Sequence, residues 1–177
     1  MVNTMAKLPK PKVSPRMQFF VDEADPGMPF WDFCCDHGYI GIAALLSNKF
    51  TAVHFVDQIP HIIDRLKKLF AQSPEKNLYP NYFFHDNGGE NLDCEIEGNI
   101  IIAGVGGRTI ISILQAIIKK NHLKAKKIIL SPHLDIKMME EFCLEQLENY
   151  HYQLLKKVEI NENNRIRPVY IWTKLNT

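Results

Sequence analysis

Asp32, Asp36, His37 and Gly38 fall within one short stretch, Trp-Asp-Phe-Cys-Cys-Asp-His-Gly-Tyr-Ile-Gly, from Trp31 to Gly41. It reads as the end of a buried strand, a tight turn and the first turn of a helix. That is where an α/β sheet holds a nucleotide-like ligand. The loop is too poor in glycine to cradle a pyrophosphate, which needs several close backbone approaches. A ligand carrying an ammonium suits it better, because Asp32, Asp36 or a backbone carbonyl can accept its hydrogen bonds. A plain strand-to-helix turn capped by an aspartate explains the same spacing about as well.

Three further loops carry polar or glycine-rich groups. Asp57, with Gln58 beside it, follows Gly38 at close to the ~20-residue interval at which an acidic residue accepts both ribose hydroxyls. Asp57 is also a good N-cap for the next helix, and the two roles can coexist. His-Asp-Asn-Gly-Gly-Glu, from His85, offers Asp86 or Asn87 to the exocyclic amine of an adenine, although Asn-Gly and Gly-Gly are first of all turn dipeptides. Ala103-Gly-Val-Gly-Gly-Arg-Thr places Gly104, Gly106 and Gly107 between a buried strand and a helix. There a flat group can approach backbone N–H groups at a helix N-terminus. Tight strand–helix packing explains one of these glycines well and all three less well. Arg108 stands at the mouth.

The elements that must position these loops follow from the apolar pattern. Strands are expected over 29–34, 52–57, 81–86, 99–104, 126–132, 152–160 and 167–174, and helices over 14–24, 38–49, 59–73, 108–122 and 135–150. Ser14 caps the first helix and Pro15 opens it. Ile59, Ile62, Ile63, Leu66, Leu69 and Phe70 share one helix face. The run 99–104 is apolar after Asn99, as a central parallel strand should be. The order predicts an α/β fold: a mostly parallel sheet of seven strands, helices on both faces, and a closing antiparallel pair. Its ligand site lies at the loops after Phe33, Val56, Phe84 and Ala103. Residues 1–16 read as a basic, Pro-rich arm and 17–177 as one domain.

The bulk composition excludes several classes. A net charge of +1 gives no general affinity for polyanions, so nucleic acid would need a local patch. Lys7, Lys10, Lys12, Arg16 and Arg108 are placed to supply one. The run Lys119, Lys120, Lys124, Lys126 and Lys127 reads as a solvated helix end away from the site. No signal peptide or apolar run of membrane-spanning length is present, so no membrane partner is expected. Cys34, Cys35, Cys94 and Cys143 form no Cys-x-x-Cys pair, and no His/Cys cluster has zinc spacing. Reduced thiols in a cytoplasmic protein without a metal are the expectation. P-loop, zincin and nucleophile-elbow motifs are absent.

Taken in order, Val13 to Met17, Asp32 to Ile42, Val56-Asp57, Asp86 to Gly88, Ile100 to Leu114 and Ile128 to Pro132 resemble the bacterial tRNA (adenine-N1)-methyltransferases that modify an adenine in the D-arm region. The family pattern A-D-I-G-T-D-H-G-Y-L-P reads W-D-F-C-C-D-H-G-Y-I-G here, and I-A-G-M-G-G reads I-A-G-V-G-G. The resemblance covers about 13–172 and implies a Rossmann-like class I fold with S-adenosyl-L-methionine as cofactor. It implies that Asp32, Cys34, Asp36, His37 and Gly38 line the cofactor's methionine end. Asp57 and Gln58 then hold the ribose, Asp86 and Asn87 flank the adenine, and Ala103 closes the cofactor site. Asp36, Gly104, Gly106 and Gly107 face the reacting methyl and the target base. Cys34 replaces a glycine, Gly41 replaces a proline, and the family's helical C-terminal domain is not in this sequence. The resemblance therefore implies tRNA or another RNA as partner, with a partner subunit in place of that domain. A same-fold methyltransferase for a small molecule or protein, and a degenerate binding module, stay open.

Overall fold

The computed structural model describes residues 11–73 and 81–175. Helix α1 (Pro15–Glu23) starts where the Ser14 hydroxyl accepts the Met17 N–H at 3.3 Å. Proline costs nothing at that first position, because its missing N–H would have no helical partner. Ser14, Pro15 and Arg16 therefore belong to the packed domain rather than to an arm. Lys7 and Lys10 lie outside the described residues.

The remaining order is β1 (Pro29–Phe33), α2 (Tyr39–Leu46), β2 (Ala52–Val56), α3 (Pro60–Gln72), β3 (Asn81–His85), β4 (Ile96–Ala103), α4 (Gly107–Lys119), β5 (Leu123–Ser131), α5 (Ile136–Asn149), β6 (Tyr152–Glu162) and β7 (Arg165–Lys174). The sheet runs β3-β2-β1-β4-β5-β7-β6. β1 pairs in parallel with both β2 and β4, β2 with β3, and β4 with β5. Only β7 runs against its neighbours, β5 and β6. The expected seven-stranded α/β architecture is thus present, with β4 at its centre. The chain winds outward in opposite senses from β1 and β4, so their carboxyl ends flank the switch point.

Each sheet face carries a buried layer. Phe20, Phe30, Ile42, Phe55, Ile63 and Leu66 belong to one, where α1 packs on α2. Ile100, Ile102, Ile113, Leu114, Met139 and Trp172 belong to the other, where α4 packs on α5. Local chemistry moves some boundaries from the sequence expectation. β5 begins at Leu123, because Leu123 and Ala125 are buried while Lys126 points outward. α2 stops at Leu46, with Asn48 in the left-handed region at φ 53°. Ile59 precedes α3 and is 40% exposed, so the buried face of that helix is Ile62, Ile63, Leu66 and Phe70. No helix among the described residues is long and apolar enough to cross a membrane.

Two buried polar side chains hold α1 and α2 in place. The Asn99 amide accepts the Asp25 N–H at 2.7 Å and donates to the Asp25 and Pro29 carbonyls, pinning the turn after α1. Asp32, 1% exposed, accepts the Gly41 N–H at 2.9 Å and so fastens the first turn of α2 to β1. Gly41 is required there, because a Cβ would lie 2.3 Å from the Phe55 ring. Gly41 therefore supplies a donor for Asp32 and leaves room for Phe55, as a proline there would not. Gly41→Pro should remove the donor and press on Phe55, lowering unfolding free energy in urea by at least about 2 kcal/mol.

Burial pushes the Asp32 carboxyl up to about 8, against the Gly41 N–H and with help from Asp57. In the unfolded chain it ionises near its ordinary 3.8. Between those values the folded state holds a proton that the unfolded state has lost, so stability falls as pH rises. Urea midpoints should decline from pH 5 to pH 8 in the wild type and decline less in Asp32→Asn. Equal slopes would remove Asp32 as the source.

Candidate functional site

The carboxyl ends of β1, β2 and β4 open into a cleft of two adjoining lobes, about 220 and 340 Å³ in volume. Cys34, Asp36 and Gly104 line both lobes and form the waist between them. The first lobe lies between α1 and the β1–α2 loop and is completed by Arg16, Met17, His37, Tyr39 and Ala103. The second is lined by Asp57 and Gln58 after β2, by Gly88 and Glu90 after β3, and by the apolar side chains of Ile59, Ile62 and Ile113.

The β1–α2 loop has an unusual backbone. Cys34, Asp36 and Gly38 are left-handed, with φ of 57°, 45° and 70°. For the two non-glycine residues such a conformation costs about 1–3 kcal/mol each and persists only where neighbours enforce it. Here they do. The Cys35 N–H donates to the Val56 carbonyl at 3.1 Å, and the Gly38 N–H to the Cys35 carbonyl at 2.7 Å. The Asp36 N–H donates to Asp57 Oδ2 at 3.1 Å, and the Ile59 N–H to Asp57 Oδ1 at 3.0 Å. Arg65 holds the Asp36 carbonyl at 3.1 Å. Asp57 is therefore a cap, as its position before α3 suggested, and it also ties the first loop to the second.

The cleft contains no activated sulfur. Burial, then the charges of Asp57, Asp32 and Glu90, push the Cys34 thiol up to about 12. Burial raises Cys35 as well. Both remain neutral thiols at physiological pH, and a neutral thiol is a poor nucleophile. Asp36 is exposed and stands 3.8 Å from the His37 ring, which stacks on Tyr39. Among the described residues no group of three or more His, Cys, Asp and Glu side chains could hold a metal ion.

The expected site residues divide into those in the cleft and those beneath or beside it. Cys34, Asp36, His37, Asp57, Gln58, Ala103 and Gly104 line it. Asp32 and Gly38 lie under the loop. A Cβ on Gly38 would meet Leu66 at 2.8 Å, so this glycine lets α2 approach α3. Gly104, at φ 77°, has nothing within 4 Å of where a Cβ would stand and is open to the cleft. Gly106 caps α4. Gly107 is a packing glycine, because its Cβ would meet the Asp135 carbonyl at 2.4 Å. Asp86 and Asn87 are exposed outside the cleft, with Asp86 3.9 Å from Lys67, and the same loop turns Gly88 and Glu90 inward instead.

Sequence reasoning missed Glu90 and the cleft-facing role of Arg16. Glu90 follows the turn it was part of, and only the chain's path after β3 decides which of its polar residues points inward. Arg16, read as a contact for a polyanion, is turned inward onto Glu162, 2.8 Å away. Among the basic groups outside the site, Lys120 donates to the Leu92 carbonyl at 2.8 Å and Lys127 to Asp25 at 2.5 Å.

No curated protein matches the chain. Among solved structures it is similar to the B. subtilis M1A22 tRNA methyltransferase TrmK, at 22% identity and TM-score 0.76, covering 93% of this chain and 68% of that one. It is similar to M. capricolum TrmK in complex with S-adenosyl-homocysteine, at 17% identity and TM-score 0.71, covering 92% and 69%. An rRNA methylase from Streptococcus thermophilus aligns at 14% identity and TM-score 0.63, covering 91% of this chain and 95% of that one. Likeness at these identities establishes a shared fold. The family model described as a methyltransferase domain matches residues 13–169, nearly the whole described chain. The chain belongs to the methyltransferase domain family.

Proposed function

We propose that this protein transfers a methyl group from S-adenosyl-L-methionine to N1 of an adenine in tRNA. The observation that carries the reading is the two-lobed cleft, whose waist joins Asp36 to Gly104 and whose far lobe begins at Asp57. Its lining supports the reading by offering a suitable group for each part of the cofactor. The first lobe can accept an amino-acid tail, with Asp36 as acceptor for its ammonium. Asp57 and Gln58 meet a ribose at the entrance to the second. Ile59, Ile62 and Ile113 give an apolar slot for a purine, with the Glu90 carboxylate placed to accept from an exocyclic amine. M. capricolum TrmK holds S-adenosyl-homocysteine on the same fold.

When bound, the cofactor supplies an electrophilic methyl on sulfur. Adenine N1 carries its own lone pair and needs no base to become a nucleophile. The cleft fits that demand, since its thiols are neutral and the reaction asks nothing of them. The protein's contribution is then alignment, worth several orders of magnitude when reacting groups are held in line. Gly104 leaves the waist open for a flat base to approach. Asp36 lies beside it and can stabilise the positive charge that the methylated ring acquires. Arg108, 73% exposed and 3.3 Å from Asp135, and exposed Lys12 are the basic groups that would meet RNA phosphates. All four cysteines are free, which suits the reducing cytoplasm where tRNA is found.

The shared fold does not select the RNA, and an rRNA methylase aligns along 95% of its length. Unmodified tRNA and rRNA transcripts incubated with labelled cofactor and digested to nucleosides decide the matter. Label in 1-methyladenosine from tRNA is expected, and label elsewhere would replace the substrate. Asp57→Ala should weaken cofactor binding by ~1.5–3 kcal/mol, about tenfold or more in Kd by calorimetry. An unaltered Kd would leave Asp57 as a cap alone.

A further inference from the structure

We propose that Arg16 binds the carboxylate at the amino-acid end of the cofactor, a role that rests on the S-adenosyl-L-methionine reading above. The guanidinium lines the first lobe beside Met17 and is only 11% exposed. Nε donates to Glu162 Oε2 at 2.9 Å, one terminal nitrogen lies 2.8 Å from the same oxygen, and the other donates to Ser131 Oγ at 3.1 Å. Ser131 in turn donates to the Pro168 carbonyl at 3.0 Å, which leaves its oxygen free to accept. Ser14 donates to the other Glu162 oxygen, and the guanidinium carbon stands 5.6 Å from the Phe20 ring centre. The fork is thus held by α1, β5 and β6 at once.

Each terminal nitrogen carries a second N–H besides those used toward Glu162 and Ser131, on a guanidinium that lines the first lobe. An anion entering the first lobe completes the set. The lobe itself selects the kind of anion. Asp36 lines the same lobe, and its carboxylate disfavours a phosphate carrying only negative charge. An α-amino acid presents carboxylate and ammonium on one carbon. Arg16 and Asp36, facing one 220 Å³ lobe, match that pair of opposite charges.

The test compares two ligands on the full-length protein by calorimetry. S-adenosylhomocysteine keeps the amino-acid end and 5′-methylthioadenosine lacks it. Arg16→Gln combined with Glu162→Gln removes both charges and leaves no ion unpaired. Arg16→Lys keeps the charge and loses the fork. Each variant should weaken S-adenosylhomocysteine, the double variant by about tenfold or more, while 5′-methylthioadenosine binds as to the wild type. Equal losses for both ligands would make Arg16 structural only and overturn the proposal. Unchanged S-adenosylhomocysteine affinity with weaker, less salt-dependent tRNA retention would assign the guanidinium to an RNA phosphate and overturn it too. If the wild type binds neither ligand, the cofactor reading itself falls.

Discussion

A single carboxylate sets the shape of the cleft. Asp57 stands at the end of β2 and takes a backbone N–H from each of two segments, Asp36 in the first loop and Ile59 at the start of α3. Without it the left-handed turn at Cys34 and Asp36 would lose one of the contacts that enforce it, and α3 would lose its cap. The same side chain lines the second lobe. Cap and ligand contact are compatible, because each carboxylate oxygen has a second lone pair.

The chemistry of the cleft follows from what its surroundings do to its polar groups. Burial keeps both thiols protonated and raises the Asp32 carboxyl, so the layer beneath the loop is close to neutral. The charged groups that remain, Asp36, Asp57, Glu90 and Arg16, sit on the walls. A site built this way suits transfer between two positioned groups better than covalent catalysis. The same neutral interior recurs elsewhere in the sheet. Burial lowers His54 to about 3 and also lowers His85, and the two rings meet at 3.0 Å over the Trp31 face.

The fold was legible because its signals are local. Apolar runs of strand length, one helical face in α3, and Ser14-Pro15 at a helix start each need only neighbouring residues to be read. Asp57 was legible as a cap from its place just before α3. The division among the glycines was not, since Gly104, Gly106 and Gly107 look alike until the Asp135 carbonyl is seen against one of them. Asp32 was readable as buried or ligand-facing with equal ease, and the Gly41 N–H decides it. Asp86 and Glu90 are polar residues of one turn, sorted by a chain path that no short pattern encodes. Arg16 was the least legible, because its partners Ser131 and Glu162 lie far along the chain.

That last contact bears on the order in which the protein is made. The second lobe uses residues no later than Ile113, so all of them have left the ribosome once β4 and α4 are made. The first lobe needs Arg16 held in place, and Glu162 is the final residue of β6. Contacts between distant segments are closed late, after the chain between them has been ordered. A nascent chain therefore holds every residue of the second lobe before it holds the carboxylate that fixes the Arg16 guanidinium. Synthesis of the closing hairpin completes the cleft, and a chain cut short before β6 would carry half a site on an otherwise recognisable sheet.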